Sequence, residues 1–263
     1  MQGRVKFFYY VSLAISTITG GFIAYHSLDL VLLLSVIPLL CCFLVAFRFT
    51  DVPRHEVGQP AHYWRHFNTA WREVGSNRTV RYLFIYQVFC LSIFGDMEEY
   101  DQLYYKMVGL PLYAFGIVGF AISGLASLGS LIAYRLKQLI SLEYLLPFIT
   151  GLMILSAGLF PSLCMILVLV LSYFIISPIE VLVESRIQHA ISAPSRATVT
   201  SMGKFFTNLT GIVITLAFGV ISKIWNLSEG YMFFGITLII FSLWVLSRTK
   251  TPVSYTHLTL PTN

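Results

Sequence analysis

Ionised side chains are scarce in this sequence. Asp, Glu, Lys and Arg make up 11% of its 263 residues, against roughly 25% in a soluble globular domain. So few charges cannot cover the surface of a water-soluble fold, and a soluble domain is excluded. Cysteine is rare too: Cys41, Cys42, Cys90 and Cys164 all lie inside apolar runs. They read as small hydrophobes, which leaves no disulfide or cysteine–metal framework. Histidine is equally thin. Residues 26, 55, 62, 66 and 189 fall in loops or at interfaces and 257 in the tail, so no base stands ready beside a nucleophile on an apolar segment. An enzyme is not expected, although a membrane-embedded one such as an acyltransferase stays as the alternative reading. No filter-like loop marks a channel, and no cofactor is implied. No A-x-A-like cleavage site separates the first two apolar runs, so a cleaved signal peptide is not expected.

What the chain does have is apolar length. It is 57% hydrophobic and 15% aromatic, with a mean hydropathy of +0.77, and the bilayer is its expected solvent. A helix needs about 20 largely apolar residues to cross a ~30 Å hydrocarbon core. Eight segments qualify, near 7–25, 29–47, 80–104, 112–134, 143–160, 162–184, 198–222 and 229–247, which predicts an all-α membrane protein. If the first span starts in the cytoplasm, all 17 basic residues except Lys106 and Lys223 fall on that side, as the positive-inside rule asks. Both termini are then cytoplasmic, with the plasma membrane the expected location. The pI near 9.0 follows from topology, and no nucleic-acid partner is needed.

The longest polar segment, 48–79, divides the chain into two spans and six. Within it Trp64, Phe67, Trp71 and Val74 recur at spacings of three and four, with Arg65 and Arg72 off the stripe. That predicts a helix lying in the cytoplasmic interface. His62 and His66 share a metal-ligand spacing, but no acid or cysteine joins them, and an interfacial face is the plainer reading.

The first and seventh spans share a pattern: Lys6-Phe7-Phe8 matches Lys204-Phe205-Phe206, and Gly21 matches Gly219. Spans one and two then repeat as seven and eight, which implies a six-span unit. Together with SRIQHAISAPSRATVTSMGKFFTNLTGIVITLAFGVISK (Ser185 to Lys223), the long basic loop and EYDQLYYKMVGLP (Glu99 to Pro111), this resembles the major facilitator superfamily of transporters. The resemblance covers essentially residues 1–252. It implies that 1–47 are the last two spans of a first half, 48–79 the loop between halves and 80–252 a complete second half. The chain would run from the fifth span to the twelfth, with four spans preceding it. The counterpart of the family's basic loop, AYRLKQ (Ala133 to Gln138), lacks the usual glycine and acid. The resemblance further implies a secondary active transporter of a small solute, with alternating access between halves; a proton-coupled exporter of drugs or metabolites is one form. It also implies that the first and fourth spans meet between halves. The last stretch, 253–263, contains VSYTHLTLPT, which reads as a translated sequencing adapter.

Charges held at membrane depth are functional candidates, because each costs about 2.5–3.5 kcal/mol on insertion scales. The stretch GDMEEYDQLYYK concentrates Asp96, Glu98, Glu99 and Asp101, a third of the 12 acids. At ~1.5 Å per residue from Arg81, Asp96 lies about 22 Å in and Asp101 about 30 Å in. Glu98 and Asp101 are expected in outer water or at a helix end. Asp96 and Glu99 either line a cavity or sit at its solvated mouth. Such clustered acids repel one another, which favours a proton on at least one. Pro178 leaves a carbonyl unpaired in the sixth span, with Glu180 half a turn on as a pathway candidate. Glu184 is expected to pair with Arg135 or Arg196. Asn208, on a stripe with Ser201, Lys204, Gly211 and Thr215, faces a cavity or a neighbouring helix. Gly116, Gly119, Ser123 and Ser127 read as a close-packing stripe, as do Ser12, Ser16 and Gly20. A small-molecule substrate, protons and the lipid bilayer are the expected partners, and no metal site is expected.

Overall fold

An apolar chain in lipid has to satisfy its backbone within each segment, and the helix does so. A computed structural model describes residues 2–49, 63–136, 142–191 and 195–249, and among them it contains nine helices and no strand. In chain order these are α1 (Gln2–His26), α2 (Leu28–Ala46), α3 (Tyr63–Ser76), α4 (Arg78–Met107), α5 (Leu112–Leu136), α6 (Leu142–Leu159), α7 (Leu163–Ala190), α8 (Arg196–Ile224) and α9 (Leu227–Thr249). Seven are long and apolar enough to cross a bilayer, and the apolar part of α6, Tyr144–Leu159, is shorter. The chain is therefore an all-α, multi-pass membrane protein. It carries seven long apolar helices and one short one where eight spans are expected.

The helix ends follow their local chemistry. Ser27 separates α1 from α2 and its Oγ accepts from Leu30 N at 3.2 Å. Asn77 opens α4 by accepting from the amides of Thr79 and Val80 at 3.0 and 3.2 Å. At the other end of α4, Gly109 takes φ +80°. Its amide donates to Lys106 O at 3.2 Å, while Leu110 N reaches Tyr105 O at 2.9 Å. This pair of bonds satisfies the last carbonyls and needs the left-handed residue that glycine supplies.

Between helices, small residues let backbones approach. A Cβ on Gly116 of α5 would lie 2.9 Å from Thr17 O of α1, and one on Gly21 only 2.6 Å from the Gly116 Cα. The expected meeting of the first and fourth spans is present in this contact. The stripe on α5 is as read, with Gly116, Ser123 and Ser127 buried. On α1 it is displaced: Ser12 and Ser16 are exposed, and Ala14, Thr17 and Gly21 make the seam. The pair α6 and α9 is equally close, since a Cβ on Gly235 would meet Leu155 N at 2.6 Å. Ser242 Oγ also donates to Tyr144 O across that pair. In α7, Pro178 removes the bond to Phe174 O, four residues back. Gly129 of α5 leaves room for that carbonyl, which lies 2.6 Å from where a Cβ would stand.

The core is aromatic towards the far end of α4, where Tyr104, Phe218, Tyr231 and Phe234 are fully buried. Tyr104 donates to Ala157 O at 3.0 Å, as a buried tyrosine hydroxyl requires. No residue of α2 is buried, and that helix lies against α1. In α3, Ala70 and Val74 are buried and Trp71 meets Phe206 at 5.7 Å, while Trp64 stays 75% exposed. The expected stripe is thus shared between the bundle and its surroundings. His62, the linker residues 50–62 and the tail 253–263 lie outside the described residues.

Candidate functional site

The acidic stretch does not leave the helix, because α4 runs unbroken through it to Met107. At 100° per residue its four carboxylates fan out around the axis and reach different surroundings. Asp96, Glu98 and Glu99 line an open cavity of about 710 Å³, together with Ser92 of α4 and Thr207, Asn208, Gly211 and Thr215 of α8. No Lys or Arg is among the lining residues. Gly211 sets the depth of the cleft, since a Cβ there would stand 3.1 Å from Asp96 Oδ1. Asp96 Oδ2 and Thr207 Oγ1 are shielded from solvent and make no hydrogen bond. Ser92 is already engaged, donating to Val88 O at 2.6 Å. Asp96 and Glu99 both line this open cavity, Asp96 half-buried and Glu99 exposed, and Asn208 lines it from α8. Glu98 lines the same cavity. Three carboxylates with no Lys or Arg in the cavity wall create a field that draws protons or cationic groups.

The second polar cluster joins α1 to α7. Lys6 Nζ lies 3.1 Å from Glu180 Oε2 and 4.0 Å from Glu184 Oε1. Tyr10 donates its hydroxyl to Glu180 Oε2 at 2.9 Å. The expected partners of Glu184, Arg135 and Arg196, are replaced here by Lys6: among the described residues no ion pair joins Glu184 to either arginine. The reason is proximity. The packing of α1 on the bundle carries Lys6 to the same turn of α7 that presents both glutamates. Glu180, read as a free pathway residue, is instead neutralised by a cation and a hydroxyl. Glu98 lies within electrostatic range of Glu180 and Lys6, so this cluster borders the acidic cavity.

Asp101 departs furthest from expectation. It is buried, 4% exposed, rather than solvated at the outer rim. Tyr173 of α7 donates to its Oδ2 at 2.6 Å and Tyr231 of α9 to its Oδ1 at 3.4 Å. The helical phase turns this one acid of the four inward, between α7 and α9. Nearby, Ser177 beside Pro178 donates to Ala126 O of α5 at 2.7 Å, fixing the loosened turn of α7. Lys6 and Tyr10 had no site role in the sequence reading, and Asp101 was expected in outer water or at a helix end. The signal for Lys6 was present, as a cation at the edge of an apolar span opposite in sign to Glu180. Among the described residues no group of three His, Cys, Asp or Glu side chains is placed to hold a metal ion. No model of a known protein family matches the sequence, and a search of curated proteins returns no match either.

Proposed function

We propose that this chain is the greater part of a secondary active transporter of the major facilitator type, moving a small cationic or proton-exchanging solute across the plasma membrane. On this reading α1 and α2 end the first half and α4 to α9 form the second half, with α6 as its short span. Both termini and the segment around α3 then face the cytoplasm, and four spans precede α1. The observation that carries the reading is the cavity between α4 and α8, in which Asp96, Glu98, Glu99 and Asn208 face open space within membrane-length helices. The close seam between α1 and α5 supports it, since in such a transporter two halves meet there and move against each other. A carboxylate held at membrane depth is costly enough to imply a use. Alternating access gives it one: loading a proton or cation on one side and releasing it on the other.

The test is transport by the protein extended with its upstream coding sequence and reconstituted in liposomes. A pH gradient should drive movement of small organic cations. Asp96→Asn and Glu99→Gln, made separately, should each lower the rate by at least tenfold or flatten its pH dependence. Wild-type rates and pH profiles in both variants would reduce the cavity to a solvated rim. An upstream sequence without further apolar spans would sink the two-half architecture.

A further inference from the structure

Asp101 is not part of the cavity wall. Asp101 accepts from Tyr173 of α7 and Tyr231 of α9, with Tyr105 and Glu98 of α4 beside it, and among the described residues no Lys, Arg or His forms an ion pair with it. The one charged group beside it, Glu98, has the same sign. A carboxylate here would be an uncompensated charge inside a helical bundle, away from water and beside a like charge. Unpaired buried charge is the arrangement that folded proteins avoid most consistently.

The hydrogen-bond inventory accommodates the neutral form. Tyr173 and Tyr231 each spend their one proton on Asp101. Tyr105, 3% exposed, places its hydroxyl beside the same carboxyl without a well-formed hydrogen bond. A carboxylate offers only acceptors, whereas a carboxyl adds one O–H donor. Tyr105 can meet either form, donating its own hydroxyl to a carboxylate or accepting from a carboxyl. The 2.6 Å bond from Tyr173 also fits either form, so the charge balance decides.

We infer that Asp101 is a proton-binding site, held as the neutral carboxyl at the junction of α4, α7 and α9. Its O–H donates to Tyr105 while its oxygens accept from Tyr173 and Tyr231, so one proton closes a polar knot across three helices. Releasing that proton to water leaves a carboxylate balanced by hydroxyls alone and repels Glu98, and the junction loosens. The site is separate from the Asp96 and Glu99 cavity, and it stands whether or not the chain moves a solute.

Infrared spectra of the purified chain in lipid nanodiscs, taken near neutral pH in light and heavy water, test this directly. A deuteration-sensitive carboxyl C=O band is expected in the wild type, and it should disappear in Asp101→Asn. Tyr105→Phe removes the acceptor, so that variant should keep the band and move it to higher frequency. The folded protein holds a proton that the unfolded chain releases in the ordinary carboxylate range, so thermal stability should fall as pH rises from about 4 towards neutral and level off beyond. Asp101→Asn, neutral at every pH, should lack that component. A wild-type carboxyl region that superposes on that of Asp101→Asn overturns the proposal. Should Asp101→Asn fail to fold, Tyr105→Phe decides alone: an unmoved band overturns the assignment.

Discussion

Lys6 shows how much one residue can hold. It stands near the start of a largely apolar helix and meets two carboxylates of α7, with Tyr10 completing the shell of Glu180. Removing the cation alone leaves Glu180 half-buried with only a hydroxyl to balance it. We therefore expect Lys6→Met to destabilise the folded protein by about 1–3 kcal/mol, the range for a stranded buried polar group. Lys6→Met with Glu180→Gln should recover most of that loss, because both partners are then neutral. Thermal melts of the two singles and the double in detergent check it, and additive losses would mean the pair is not coupled. At this scale the sequence was partly legible. That charges at depth matter could be read from hydropathy, and a cavity was one of two readings for Asp96, Glu99 and Asn208, which line one together. Which acid of GDMEEYDQLYYK turns inward could not be read. That depends on the rotation of α4 against α7 and α9, and no pattern within α4 encodes it. The partner of Glu184 was missed for a related reason, since the distance from Lys6 to α7 is set by tertiary packing.

Among elements, the helices themselves were legible because lipid leaves an apolar segment no other choice. Their contact registers were less so. Along α1, Ser12, Ser16 and Gly20 form one small-residue stripe and Thr17 and Gly21 belong to another, one position on. The Gly20–Gly21 doublet serves both, and only the phase against α5 selects the second. That choice makes a firm expectation. A Cβ on Gly119 would stand 3.2 Å from the Cβ of Thr17, close to the Cβ separation of roughly 3.5–4.5 Å in disulfides. With the four native cysteines changed to alanine, Thr17→Cys with Gly119→Cys should cross-link under mild oxidation. Adding Gly116→Val, which sets side-chain atoms against the backbone of α1, should abolish the cross-link. A cross-link that persists in the triple variant would show that the seam is not held by close approach.

For the whole molecule, the length of α4 is informative. Its 30 residues span about 45 Å, more than a ~30 Å hydrocarbon core, so both ends should clear the membrane. On the proposed topology Lys106→Cys and Asn226→Cys should react with an impermeant maleimide from outside intact cells. Ser76→Cys should react only after permeabilisation. Labelling of residues 76 and 106 from the same side would refute α4 as a span, and labelling of 106 and 226 from opposite sides would refute the helix count between them. The arrangement of α6 is the feature least settled by composition. Its apolar length is marginal, and what holds it is its glycine-lined pairing with α9, a tertiary fact.

The glycine seam between α1 and α5 has a mechanical consequence. Interdigitated side chains act like gear teeth, and shifting one helix past another means lifting each tooth out of its notch. Where Gly21 faces Gly116 there are no teeth, only two smooth backbones in contact. Such a surface resists separation, because dispersion acts over its whole length, yet opposes sliding and tilting only weakly. The stiff restraint lies elsewhere, at the Lys6 ion pair near the start of α1. The first helix is thus anchored by charge near its start and rests on smooth backbone near its end, where Tyr25 also meets Tyr113 of α5 at 6.3 Å.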